Sequence, residues 1–236
     1  LSPKSSIGLI TRVRGLFNIN NISGTLYENI TNDFDTEQDF DFAIENLSGT
    51  AHLFAEIGVA YGRQLFYNQQ HFLKGGLTLK YLNGAGGLFV HSPNLNGNYN
   101  ATQETLNTTG SFDYGTTVDF DDEDLNFESM ASGLGADIGF IYEFRPDTTA
   151  ISSRSQNKYK LKLGLSITDL GALKYDESTV SAYNVTGSVN AQDFEDEDVE
   201  TVLEENYPGT ETFETVQLRL PTALHLMADY HLKNKF

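Results

Sequence analysis

The sequence predicts an all-β protein, an antiparallel transmembrane β-barrel. Three observations carry that prediction. Six segments alternate apolar and polar residues with a period of two. Each segment is about twice the ~5–6 residues of an ordinary strand. The connections between them alternate between short and long. Successive side chains of a strand project to opposite faces, so every segment has one apolar and one mostly polar wall. Long strands joined by short turns on one side and long polar loops on the other are the pattern of an outer-membrane barrel. A water-soluble β-sandwich also alternates, but with shorter strands.

The first strand is read from about Ile7 to Asn18, with Leu9, Thr11, Val13 and Phe17 on one face and Arg12 and Arg14 on the other. The second, about Ala51 to Leu65, sets Leu53, Ala55, Ile57, Val59 and Tyr61 against His52, Glu56, Gly58 and Gly62. The third, about Phe72 to Val90, sets Leu73, Leu77, Leu79 and Tyr81 against Lys74, Gly76, Thr78 and Lys80. The fourth, Leu134 to Phe144 with a start near Ser129, is the most regular; Ile138 and Phe140 oppose Asp137 and Gly139. The fifth covers about Lys158 to Tyr175, with Leu161, Leu163, Leu165 and Ile167 opposite Lys160, Lys162, Ser166 and Thr168. The sixth covers about Thr215 to Leu232. There Val216, Leu218, Leu220, Leu224 and Leu226 oppose Arg219, His225, Asp229 and His231.

Short turns are expected at 66–71 and at 146–157, the latter opened by Arg145-Pro146-Asp147, and long loops at 19–50, 91–128 and 176–214. Within the loops, Thr25 to Asn32 and Asn190 to Asn206 read as short helices, and Gly110 to Asp119 as a small hairpin. Gly84-Ala85-Gly86-Gly87 lacks the Lys-Ser/Thr of a phosphate loop and is read as a bend in the third strand.

The 236 residues carry a formal charge of −18, which disfavours nucleic acid as a partner. There is no cysteine, so disulfides, thiolate zinc sites and thiol nucleophiles are excluded. No run of ~20 apolar residues is present to make a membrane-spanning helix; a barrel needs none. Six strands fall short of the roughly eight or more of single-chain barrels. The expectation is therefore one barrel domain over 1–236, an incomplete portion, with further strands before Leu1 or after Phe236 and Lys233 to Phe236 as a turn.

Four stretches are GLITRVRGLFNINNIS at 8–23, FLKGGLTLKYLNGAGG at 72–87, KLGLSITDLGALKY at 162–175 and LPTALHLMADYHL at 220–232. With Ala60 to Gln64 and the segment at 133–147, they resemble a family of Bacteroidota outer-membrane β-barrel proteins of unassigned function. Asp169 and Pro221 interrupt otherwise regular strands in the last two motifs. The resemblance implies a bacterial outer-membrane location and a lipid and lipopolysaccharide environment. Members often carry an added OmpA-like domain; this sequence has none, so peptidoglycan binding is not carried over. The resemblance supplies no catalytic residues.

The polar walls collect Arg12, Arg14, Lys74, Lys80, Arg145, Lys158, Lys160, Lys162 and Arg219 with Glu56, Asp137, Glu143 and Asp229. Two readings stand for these candidate lumen charges. They pair across strands and fill a narrow barrel, or they form a basic lumen that admits anions. His225, Asp229 and His231 share a face of the sixth strand, but no activated serine or third metal ligand is marked beside them. Acidic runs at 33–41, 119–124 and 193–200 are read as solvated charge, with Ca²⁺ held by their oxygen ligands as the alternative, since none has EF-hand spacing. No cofactor motif and no enzyme chemistry is expected. The expected role is structural or accessory in the envelope, with another envelope protein as a candidate partner of the acidic loops. The alternatives are a FadL-like or anion-preferring solute channel and a secreted β-sandwich adhesin or binding module.

Overall fold

The computed structural model describes residues 4–32, 34, 36–117, 131–146 and 158–232. Within them, nine strands form one antiparallel sheet. In chain order these are β1 (Ser5–Asn20), β2 (Phe40–Asn68), β3 (His71–Asn100), β4 (Thr105–Thr116), β5 (Ser132–Phe144), β6 (Leu161–Asn184), β7 (Gly187–Asn190), β8 (Gly209–Arg219) and β9 (Ala223–Tyr230). Helices α1 (Gly24–Thr31), α2 (Asp193–Asp196) and α3 (Val199–Asn206) lie between them. The expected starts of the fourth strand at Ser129 and of the turn at Lys233, and the acidic run at 119–124, fall outside the described residues.

The sheet has two levels. At the lower level, the end of the β2–β3 turn, the order is β1-β2-β3-β5-β6-β9. At the upper level β3 exchanges β5 for β4, and β6 exchanges β9 for β8. The first five expected segments lie mainly at the lower level, and the sixth spans β9 there and the end of β8 above it. The expectation of three long loops is corrected: much of 19–50, 91–128 and 176–214 is strand. β2 already begins at Phe40, β3 runs on to Asn100, and β4 returns against it. β6 extends to Asn184 and takes β8 from Gly209. The physical reason is that these segments lie side by side, so their backbone groups pair with each other in one ladder. The hairpin expected within Gly110 to Asp119 does not form among the described residues: 110–116 belong to the single strand β4, which returns against β3 across residues 101–104. The helix expected at Thr25 to Asn32 forms as α1, whereas the one expected over Asn190 to Asn206 is divided into α2 and α3; Ser23 caps α1 by accepting from the Leu26 N–H, and Asp198 caps α3 by accepting from the Thr201 N–H.

Register sorts the lower residues into two faces. Ile7, Tyr61, Leu77, Ile138 and Leu224 occupy one row of one face and all are exposed. Leu9, Phe17, Leu134 and Leu226 on the same face are 73–80% exposed. The opposite face carries Arg12, Glu56, Lys80 and Asp137. β2 keeps its alternation without a break from Leu47 to Gln64, so Leu47 shares the face of Ile57 and Val59. Leu47 nevertheless is buried, in an upper core with Leu26 of α1, Val202 and Leu203 of α3, Ile44, Tyr99 and Tyr183. One face of a single strand thus passes from an exposed apolar band to a packed core.

A second core lies on the other face, from Phe54, Leu82, Ala131, Leu173, Tyr175, Leu218 and Leu220. Two irregularities shape it. Ala85 is an extra residue of β3 opposite Leu53 and Phe54, where the glycine run was expected to bend the strand. A Cβ on Gly84 would lie 2.1 Å from the Tyr175 hydroxyl, so only glycine admits Tyr175. In β6 the ladder skips between Ala136 and Ile138 of β5, opposite Thr168 and Asp169. Asp169 takes a left-handed conformation (φ 58°), which aspartate tolerates better than most residues. Nearby Gly171 (φ 144°) leaves no room for a Cβ, which would stand 2.2 Å from the Leu134 carbonyl oxygen.

Candidate functional site

Alternation brings Arg12 and Arg14 of β1, Glu56 of β2, Lys80 of β3 and Asp137 of β5 to one face, as the sequence implied. The β6 bulge adds Asp169, and these six side chains form a belt. Arg14 donates two parallel hydrogen bonds to Asp169, Nη1 to Oδ1 at 2.7 Å and Nη2 to Oδ2 at 2.9 Å. Lys80 Nζ donates to Asp137 Oδ1 at 2.7 Å and to Asp169 Oδ1 at 2.9 Å. The Asp169 backbone N–H donates to Asp137 Oδ1 at 2.8 Å. Arg12 Nε donates to Glu56 Oε1, and Arg14 Nη1 stands 3.6 Å from Glu56 Oε2. Three cations face three carboxylates, so the belt is neutral. The Glu56 and Lys80 side chains are each 1% exposed. Burial at this depth requires compensation of the kind the neighbours supply.

The belt also measures the sheet's shape. β1 and β6 are four neighbours apart in the order β1-β2-β3-β5-β6. In a flat sheet they would stand ~19 Å apart, given ~4.8 Å per strand. Arg14 and Asp169 nevertheless touch at 2.7 Å. The sheet is therefore strongly rolled, with the belt on its concave side. Above the belt, His52 Nε2 of β2 and the Tyr175 hydroxyl of β6 meet at 2.6 Å among the apolar residues of the second core. Below it, a cavity of about 800 Å³ is floored by Gly62, Gly76, Gly139, Gly164 and Ser166, with His225 and Met227 on its β9 side.

The other expected lumen charges lie toward the lower rim. Arg145 donates from Nε to Glu143 Oε2 at 2.9 Å, with Nη2 on the same oxygen. Its guanidinium lies 4.1 Å from the Phe72 ring, which Lys74 Nζ approaches at 4.7 Å. Lys160 Nζ stands 4.9 Å from the Tyr230 ring and Lys162 Nζ 5.5 Å from that of Tyr159. The Tyr159 hydroxyl donates to Asp229 Oδ2 at 2.5 Å. His225 Nε2 meets Thr168 Oγ1 at 3.1 Å, opposite Ser166 in register. The His231 N–H donates to the Lys160 carbonyl. His225, Asp229 and His231 are thus engaged separately along β9.

Arg219 is the correction. It pairs opposite Ala172 on the convex face and is exposed, whereas Leu218 and Leu220 are buried inside. The sixth expected strand is two strands, broken at Leu220-Pro221-Thr222, and the break reverses which parity points inward. Proline has no N–H to continue the ladder; Thr222 instead donates from Oγ1 to the Asp169 carbonyl at 2.9 Å.

Asp169 is the residue that the alternation missed. Strict parity sets it with Leu165 and Ile167 on the convex face; the bulge turns it inward. The usable signal was an aspartate before Leu-Gly in an otherwise regular strand.

In the upper region, the Thr201 N–H holds the Asp198 carboxyl below the usual carboxylate range. Burial raises the Tyr207 phenol, whose hydroxyl lies 2.9 Å from Thr108 Oγ1. Among the described residues no three histidine or acidic side chains converge as a metal site.

A family profile described as a family of unknown function, DUF5723, matches residues 2–236. No curated protein and no solved structure matches.

Proposed function

The chain belongs to a family of unknown function, DUF5723, and we propose that it forms wall of a Bacteroidota-type outer-membrane β-barrel with a structural or accessory, non-catalytic role. The observation that carries this reading is the contact of Arg14 with Asp169 across four strand spacings, on the concave side of a sheet whose convex side is an exposed apolar band. Rolling with charges inside and hydrocarbon outside is what lipid demands of strands. A soluble sandwich would bury its apolar face, and a band this continuous in water would promote association. In this reading the bilayer is the first partner, and lipopolysaccharide surrounds the acidic upper region.

The chain contains no tryptophan, so a single introduced one reports its own surroundings. Leu165→Trp on the convex face is expected to be quenched by brominated lipid acyl chains. Ser166→Trp, which lines the cavity, is expected to escape that quenching. Equal quenching at the two positions, or none at either, would remove the barrel reading.

A channel is the second reading, drawn from the cavity below the belt. The neutral belt and the apolar core above it favour a closed axial path over an anion pore. Planar bilayers containing the protein are expected to carry no steady current. A stable anion-selective conductance would instead support the channel.

A further inference from the structure

The cavity below the belt exists because one register row is almost bare of side chains. Ser6 of β1, Gly62 of β2, Gly76 of β3, Gly139 of β5 and Ser166 of β6 pair in succession, with His225 of β9 beside Ser166. Glycine weakens a strand interior, and it marks a bulge, a bend or the close approach of something else. At Gly76 the ladder is regular on both sides and φ is not positive. A Cβ there would come no closer than 3.7 Å to another atom, the Tyr61 carbonyl oxygen. Packing among the described residues thus does not require the missing side chain. We infer that the cavity binds a single-chain lipid with an anionic headgroup, a function beyond the wall role proposed above.

The lining indicates both halves of that ligand. Phe72, Ile141 and Met227 give the cavity an apolar wall. Its charged lining residues are Lys4, Arg63 and Lys74, and no carboxylate lines it among the described residues. Lys74 Nζ meets only the Phe72 ring, at 4.7 Å. A ring face holds an exposed cation weakly, so the ammonium keeps its donors for an anion. At the other end, the adjoining space above the row is lined by Thr78, Thr168 and the Asp137 carboxylate of the belt. Asp137 would repel a negative group. The headgroup therefore sits at Lys74, and the chain runs past Phe72, Ile141 and Met227 over the glycine row. The volume of about 800 Å³ falls within the roughly 300–1,000 Å³ of small-molecule sites. A free inorganic anion would use Lys74 and leave the apolar wall unused; a neutral hydrocarbon would do the reverse.

The test uses the full chain in neutral phosphatidylcholine vesicles, with Ile141→Trp on the cavity wall as the reporter. The chain has no other tryptophan. The probe is ω-bromododecyl phosphate, whose bromine quenches indole at contact. Quenching is expected to saturate at one probe per chain. Lys74→Glu is expected to weaken binding about tenfold or more, as the loss of a charge-assisted contact. Gly76→Phe, which fills the bare row, is expected to abolish it. Lys174→Glu makes the same charge change at the exposed Lys174–Asp176 pair and is expected to leave binding unchanged. Quenching that rises with the probe without saturating, or that Lys74→Glu does not alter, overturns the inference. So does equal quenching by ω-bromododecyl trimethylammonium. Displacement of the probe by inorganic phosphate would mean a site for the anion alone, and no quenching would mean a cavity closed to the probe; each also overturns it. The barrel reading fails separately, if Leu165→Trp escapes brominated bilayer lipid.

Discussion

Asp169→Asn is expected to lower the unfolding free energy by about 3 kcal/mol, among the largest effects of any single polar substitution in the lower sheet. Asp169 accepts from Arg14 and Lys80, and the Lys80 side chain is almost wholly buried. Removing one partner of a buried ion pair leaves an uncompensated charge, which costs ~3–5 kcal/mol. The lower end applies because Arg14 is 21% exposed and keeps some water. Asparagine accommodates the left-handed backbone nearly as well as aspartate, so this substitution isolates the charge. Asp169→Gly keeps the backbone conformation while removing the side chain, and should cost a similar amount. Denaturant unfolding in detergent, compared at constant slope, measures both. A loss below about 1 kcal/mol for the two variants would mean that the belt is a solvated surface cluster of little weight.

Leu163→Arg is expected to cost about 2–4 kcal/mol in a bilayer if it lies near the midplane, because the guanidinium must enter hydrocarbon. Leu163 is 41% exposed, and in water an exposed substitution of this kind stays within roughly ±0.5 kcal/mol. The two environments thus predict different results from one variant. Gly164→Arg points the other way, into the cavity, where the nearest atom to a Cβ is the flexible end of Met227 at 3.1 Å, with the Met227 Cβ at 3.4 Å. Its cost should follow the room available there. Refolding into vesicles, with folded and unfolded fractions followed against denaturant, gives the comparison. Equal and small costs at Leu163 and Gly164 would argue against lipid on the convex face.

A period of two was sufficient to assign Arg12, Arg14, Glu56, Lys80 and Asp137 to one face, because a strand's geometry alone alternates its side chains. It was also sufficient to mark the lower strands and the segments that hold α1 and α3, whose caps are local chemistry at Ser23 and Asp198. Asp169 and Arg219 escaped for a common reason: parity counting holds only while the ladder is unbroken. A left-handed residue in β6 reversed the first, and a proline between β8 and β9 reversed the second. Neither alternation nor composition told that the supposed loops pair into β4, β7 and the upper ends of β2, β3 and β6. That pairing is a contact between distant segments, and isolated strand propensity is weak next to the partner that a strand finds. Leu47 makes the same point. By itself the sequence determined that Leu47 and Val59 share a face. Only the tertiary structure decided that Leu47 is buried in the core containing Leu26 and Leu203 while Val59 stays exposed, because burial depends on what the rest of the chain lays over a face.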